Sequence, residues 1–163
     1  MILKKINSFK IDHEKLEKGL YVSSVYKYNE CILTTFDLRM KKPNNNDYLS
    51  NESIHTLEHL IASILRSNIE YENRIIYFGP MGCRTGFYLI IKSEEDIDSF
   101  TIKSLLTFTF ETIINYEDNI PGVDNSSCGN YLEHNLISAK NEALAYLNDV
   151  LNQLNETNTK YAK

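Results

Sequence analysis

The stretch that decides the fold is residues 75–91, IIYFGPMGCRTGFYLII. Two apolar runs rich in β-branched and aromatic residues, 75–78 and 84–91, flank the tight connection Gly79-Pro80-Met81-Gly82-Cys83. Such runs around a short glycine-rich link predict a β-hairpin. Residues 31–40, CILTTFDLRM, add an alternating strand. Ile32, Phe36, Leu38 and Met40 share one of its faces, Asp37 and Arg39 the other. Strands that come as hairpins rather than in strict alternation with helices imply an α+β fold. The expectation is an antiparallel β-sheet packed against a layer of α-helices, one domain over residues 1–163.

Outward from these strands, the loop KKPNNNDYLSN ends in Ser50 and Asn51, either of which can cap a helix beginning near Glu52. Ile54, Leu57, Ile61, Ile64 and Leu65 recur at helical spacing and form its core stripe. Residues 98–117 predict a second helix with Ile102, Leu105, Leu106, Thr109 and Ile113 on one face, although the β-branched and aromatic run TFTFETII opposes it. Pro121-Gly122 then breaks the chain. A last helix is expected from about Tyr131 to the leucines near 154, with Asn130 and Glu133 spaced as a capping box and Cys128 at its start.

Composition narrows the partners. The formal net charge is −5 and no run of lysines and arginines marks a nucleic-acid track or an anionic-membrane contact. No apolar stretch approaches the ~18 residues of a membrane span. The apolar run within MILKKINSFKIDHEK is too short for a signal-peptide core, which points to the cytoplasm. Three cysteines, Cys31, Cys83 and Cys128, are an odd number, and a reducing compartment disfavours a disulfide framework.

The chemistry starts at His55-Thr56-Leu57-Glu58-His59. At ~100° per residue the two histidines lie ~40° apart on one helical ridge, where both imidazoles can reach one metal ion. Glu58 sits on the same side without needing to be a ligand. The order His-x-x-Glu-His also matches the inverted zinc-peptidase signature. Two histidines four apart on a helix are also common with no ion at all. Cys128 raises the odds, because a thiolate at a helix N-terminus is favoured by the amide dipoles and is a soft ligand for zinc or ferrous iron. Three protein ligands, His55, His59 and Cys128, leave a fourth position open, as catalysis requires.

Cys83 is the second candidate. Glycines around it allow close backbone approach, and Arg84 beside it favours a thiolate. A lone cysteine at a strand start is, however, more often a small buried hydrophobe. Cys31 keeps that reading. His134 is read as a solvated or core-edge imidazole of the last helix. Arg39, on the non-core face of its strand, would ordinarily be solvated, unless pairing with Asp37 fixes it to meet a carboxylate or hydroxyl. Ser8 and His13 lie in SFKIDH, which has no strong structural signal.

The blocks SFKIDH, FDLRM, IHTLEHLIASILRS, GPMGCRTGFYLI and CGNYLEHNLISAK span nearly the whole chain. In order and spacing they resemble the S-ribosylhomocysteine lyase (LuxS) family, bacterial enzymes that make the autoinducer precursor. The resemblance implies that His55, His59 and Cys128 bind one Fe(II) or Zn(II) per subunit. It implies that Glu58 and Cys83 form an acid–base pair and that Ser8, His13 and Arg39 contact substrate. It implies a homodimer with shared active sites and no organic cofactor. The implied reaction moves a carbonyl along S-ribosylhomocysteine through enediolates, then eliminates homocysteine to leave 4,5-dihydroxy-2,3-pentanedione. One departure is Ser23 in Gly19-Leu20-Tyr21-Val22-Ser23, where the family has arginine.

Two other readings compete. A small inverted-motif zinc peptidase would use Glu58 as base and usually a carboxylate as third ligand, which Cys128 and the motif around Cys83 argue against. A metal-binding regulatory module without turnover would need four protein ligands. Cys83 is a possible fourth, His134 a weaker one.

Overall fold

The computed structural model describes residues 3–162; Met1, Ile2 and Lys163, at the ends of the expected 1–163 domain, lie outside the described residues. Four strands, β1 (Gly19–Tyr28), β2 (Cys31–Arg39), β3 (Ile75–Pro80) and β4 (Gly86–Ser93), form one sheet in the order β1-β2-β4-β3. Every neighbouring pair is antiparallel. The helices are α1 (Asn51–Ser67), α2 (Lys103–Ile114) and α3 (Leu136–Asp149). Together these elements make the expected α+β arrangement.

The hairpin at 75–91 forms, with its turn two residues later than the expected link 79–83: β3 runs on through Gly79 and Pro80, and β4 begins at Gly86. Met81 N–H donates to Gly86 O and Arg84 N–H to Met81 O, both at 2.9 Å. Arg84 takes a left-handed φ of 58°, unusual for a residue with a side chain, in the residue next to Cys83. In β2 and β4 the alternation sends Phe36, Leu38, Phe87, Leu89 and Ile91 inward, all fully buried. They join Leu57, Leu60, Ile61, Leu105, Leu106 and Phe110 in one core cluster between sheet and helices. Asp37, Arg39 and Tyr88 therefore fall on the outer face of the sheet.

Sequence reasoning missed β1. In GLYVSSVYKY, Val22 pairs with Phe36 and Ser24 with Thr35, so Ser23 is bulged out of register. The extra residue resets the two-residue period and hides the strand from a pattern search.

Helix α1 follows its prediction. Ser50 is the cap, its hydroxyl accepting from Ser53 N–H at 3.2 Å. The buried stripe is Leu57, Leu60, Ile61 and Leu65, with Ile54 and Ile64 half-buried at its margin. Helix α2 is shorter than residues 98–117. Asp98 accepts from Thr101 N–H at 2.8 Å and holds the preceding residues in a turn.

The last helix needs the larger correction. It starts at Leu136, where the Asn135 side chain accepts from Ser138 N–H at 2.9 Å. The predicted capping pair does meet, Asn130 Nδ2 donating to Glu133 Oε2 at 2.8 Å, but inside an irregular loop. Cys128 thus lies in that loop and not at a helix N-terminus, and His134 precedes the helix instead of riding on it.

Candidate metal centre and active site

His55, Glu58 and His59 lie half-buried on α1, beside its core stripe. The segment from Pro121 to Asn135 folds across this side of the helix and supplies the rest of the site. His55 Nδ1–H donates to Glu133 O at 3.0 Å and His59 Nδ1–H to Pro121 O at 2.7 Å. Gly122, at a left-handed φ of 70°, turns the chain directly after the carbonyl that His59 uses. Tying the outer nitrogen of each ring to a backbone carbonyl fixes the tautomer and leaves Nε2 with its lone pair free for an ion.

Cys128 reaches the same place from its loop. Asp124 organises the turn, its carbonyl accepting from Cys128 N–H at 3.0 Å and its carboxylate from Ser126 and Ser127 N–H at 2.9 and 3.0 Å. Hydrogen bonds from those two serines hold the Asp124 carboxyl below its usual range. The thiol sulfur stands 3.3 Å from His55 Nε2.

His134 is the residue that sequence reasoning set aside. Its ring stacks on His55, with centroids 4.0 Å apart, and meets His59 edge-on at 4.9 Å. The Thr56 hydroxyl gives its proton to Glu52 O at 2.7 Å, so it must accept from His134 Nδ1–H at 3.2 Å. This leaves Nε2 of His134 with a lone pair, buried and, among the described residues, without a hydrogen-bond partner. Burial, then the neighbouring His55 and His59, lowers its pKa to about 4, so the ring is neutral at neutral pH. The missed signal was Thr56 together with His134: a buried hydroxyl that can fix a ring brought in from a distant loop.

One donor atom from each of His55, His59, Cys128 and His134 lies within 4.8 Å of the others. Imidazole nitrogen with thiol sulfur is the donor set of zinc and ferrous iron, and the locked tautomers fit that use. The arrangement can hold a metal ion. Glu58 lines a neighbouring cleft of about 340 Å³ with His55, Asn130 and Glu133.

Cys83 is elsewhere. It is exposed at the tip of the β3–β4 hairpin, not a buried hydrophobe. The cation beside it is Arg39 rather than Arg84, whose guanidinium lies over the Tyr48 ring at 5.8 Å. Arg39 is only 2% exposed. It donates to Asp37 Oδ2 and to Thr85 Oγ1, both at 2.6 Å, and its Nη1 stands 4.0 Å from the Cys83 sulfur. Cys83 and Thr85 Oγ1 are 3.0 Å apart. Ser8 belongs to a short 3-10 turn, Asn7–Lys10, and borders an outer-face cleft with Ser23, Tyr77 and Tyr88. His13 Nδ1 donates to Ile11 O at 2.9 Å. Cys31 begins β2. Among the described residues, no hydrogen bond or ring contact joins the Cys83 group to the histidine cluster.

The family model described as S-ribosylhomocysteinase (LuxS) matches residues 6–157. An S-ribosylhomocysteine lyase of Borreliella burgdorferi is 48% identical, covering 98% of this chain and 99% of the relative. Those of Finegoldia magna and Clostridium beijerinckii are 47% and 44% identical, with the same coverage. Similarity of this extent places the chain among the lyases, as an enzyme. The chain belongs to the S-ribosylhomocysteinase (LuxS) family.

Proposed function

We propose that the chain is a metal-dependent carbon–sulfur lyase that cleaves S-ribosylhomocysteine to homocysteine and 4,5-dihydroxy-2,3-pentanedione, the autoinducer precursor, in the cytoplasm. The observation that carries this reading is the convergence of two locked Nε2 lone pairs and one thiol at His55, His59 and Cys128, in a chain of this family. These three are the ligands in our reading. One Fe(II) or Zn(II) there would polarise the sugar carbonyl as a Lewis acid. His134 Nε2 faces the same space. A fourth protein ligand would close the site to substrate, so His134 serves as hydrogen-bond acceptor for a substrate hydroxyl.

Glu58 and Cys83 form the acid–base pair. The base takes the proton at C2, and reprotonation at C1 leaves the carbonyl at C2. A second round moves it to C3. Removal of the C4 proton then expels homocysteine from C5. Arg39 places positive charge 4.0 Å from the sulfur that gives up and regains the proton. Ser8, His13 and Arg39 hold the substrate. No organic cofactor is required, since the sequence consists of proton transfers and one β-elimination in which the C5–S electron pair leaves on sulfur, with no external electron carrier.

Residues 1–163 act in this reading as one lyase domain within a homodimer whose subunits share the active sites. Support comes from the separation of Cys83 and Arg39, on the outer sheet face, from the histidine cluster on the helical layer. The outer face also exposes Tyr26 at 62% and Tyr77 at 48%, apolar area suited to burial against a second copy. Among the described residues no helix is long and apolar enough to cross a membrane. Assaying S-ribosylhomocysteine beside a peptide library tests the reading: thiol release from the first without cleavage of the second is expected, and the reverse would establish a peptidase.

A further inference from the structure

The C-terminal segment runs back over the outer face of the sheet and ends against the machinery of Cys83. Leu20 N–H donates to Asn158 O at 2.9 Å, pinning the segment to β1. Beyond that anchor, the Tyr161 ring stacks on Tyr21, with centroids 4.7 Å apart and planes 14° from parallel. Its hydroxyl donates to Asp37 Oδ2 at 2.9 Å. The Asp37 side chain has no solvent exposure, and the same oxygen accepts from Arg39 Nη2 at 2.6 Å. The other terminal nitrogen of that guanidinium donates to Thr85 Oγ1 and faces the Cys83 sulfur. A continuous polar chain therefore leads from the tail to the thiol: Tyr161, Asp37, Arg39, then Thr85 and Cys83.

A buried carboxylate that one guanidinium alone must satisfy draws it into the tightest pairing available. A second donor on the same oxygen relieves that demand. We infer that Tyr161 is a positioning residue for Cys83: its hydroxyl shares the load on Asp37 and so leaves Arg39 spread between Asp37, Thr85 and the thiol. Burial, then the Asp37 charge, pushes the Tyr161 phenol above its ordinary range, so it remains a donor throughout the working pH range. Other titratable groups around the relay are Tyr21 on β1, Tyr88 on β4, Tyr146 on α3 and His13 from the N-terminal segment. The inference rests on the proton-transfer role proposed for Cys83.

Tyr161→Phe keeps the ring on Tyr21 and deletes only the hydroxyl. In the full chain, alkylation of Cys83 is followed across pH by mass spectrometry of the peptide that contains it. Losing a charge-assisted hydrogen bond should move that profile to higher pH by about one unit. Thiol release from S-ribosylhomocysteine should fall about tenfold with it. Tyr161→Ala, which also removes the stack, should shift the profile at least as far and decides the matter should Tyr161→Phe not fold. An alkylation profile unchanged from wild type in either folded variant overturns the inference. A wild-type protein that releases no thiol would strike instead at the proposed reaction, leaving the alkylation comparison to judge the positioning role.

Discussion

Arg39→Met tests the most buried electrostatic feature of the molecule. Asp37 and Arg39 side chains are 0% and 2% exposed. Among the described residues Asp37 Oδ1 has no hydrogen-bond partner, and the guanidinium and the Tyr161 hydroxyl are what bind this carboxylate. Removing one partner of a buried pair costs about 3–5 kcal/mol, because the remaining charge stays desolvated. At ~2–4 °C per kcal/mol for a chain of this size, the melting temperature should fall by roughly 6–20 °C at pH 7.5. The pH dependence has a definite sign. Burial raises the Asp37 pKa above its ordinary 3.8, against the lowering effect of Arg39. A carboxyl that holds its proton more tightly when folded favours the fold in acid, and that contribution is lost as pH rises through the folded pKa. Without Arg39 the folded pKa climbs further, so the deficit should be smaller at pH 5 than at pH 7.5. Asp37→Leu added to Arg39→Met removes the stranded charge and should recover most of the loss. Differential scanning calorimetry at both pH values and one protein concentration reads the wild type and both variants. A loss below about 1 kcal/mol, a deficit equal at both pH values, or a double variant no better than the single would refute the reasoning.

Cys128→Ala should lose bound metal and activity together, whereas Cys83→Ala should retain metal by elemental analysis and still be inactive; full metal retention by Cys128→Ala would remove it from the ligand set. Glu58→Gln should keep the metal and bind substrate but lose about 100-fold to 10,000-fold in thiol release, with the open aldose or 2-keto isomer accumulating by NMR. His134→Ala should keep its metal and turn over more slowly, and loss of the ion would make it a fourth ligand. Individually inactive His13→Ala and Cys83→Ala proteins, refolded together, should regain part of the activity through mixed dimers, which a fully active monomer in sedimentation would contradict.

Local rules made the inner parts of the fold legible. The hairpin at 75–91, the alternation of β2 and the Ser50-capped α1 each follow from spacing a few residues long; β2 and α1 stand where their patterns put them, and the hairpin turns two residues later than expected. The parts that escaped depend on something outside their own segment. Strand β1 is interrupted by the bulge at Ser23, and its pairing with β2 overrides the broken pattern. The loop around Cys128 leads into Asn130 and Glu133, spaced like a capping box, but Asp124 binds its amides and the true cap lies further on at Asn135. Among candidate site residues, the proximity of His55 and His59 was readable because one helix turn brings their rings together. Cys128 was named for a reason the structure does not support, since its place beside His55 comes from the loop and not from a helix dipole. His134 and Tyr161 are held by partners far away in sequence, Thr56 and Asp37, which no local pattern could pair.

The most direct test of the account is thiol release against metal occupancy in one preparation. The purified chain is stripped of metal, titrated with Fe(II) or Zn(II) under anaerobic conditions and assayed on S-ribosylhomocysteine at each step. The account predicts that homocysteine release rises in proportion to bound ion and levels off at one per chain, and that this site is missing in Cys128→Ala. Release at full rate from the stripped protein, or none from the fully loaded one, would contradict it.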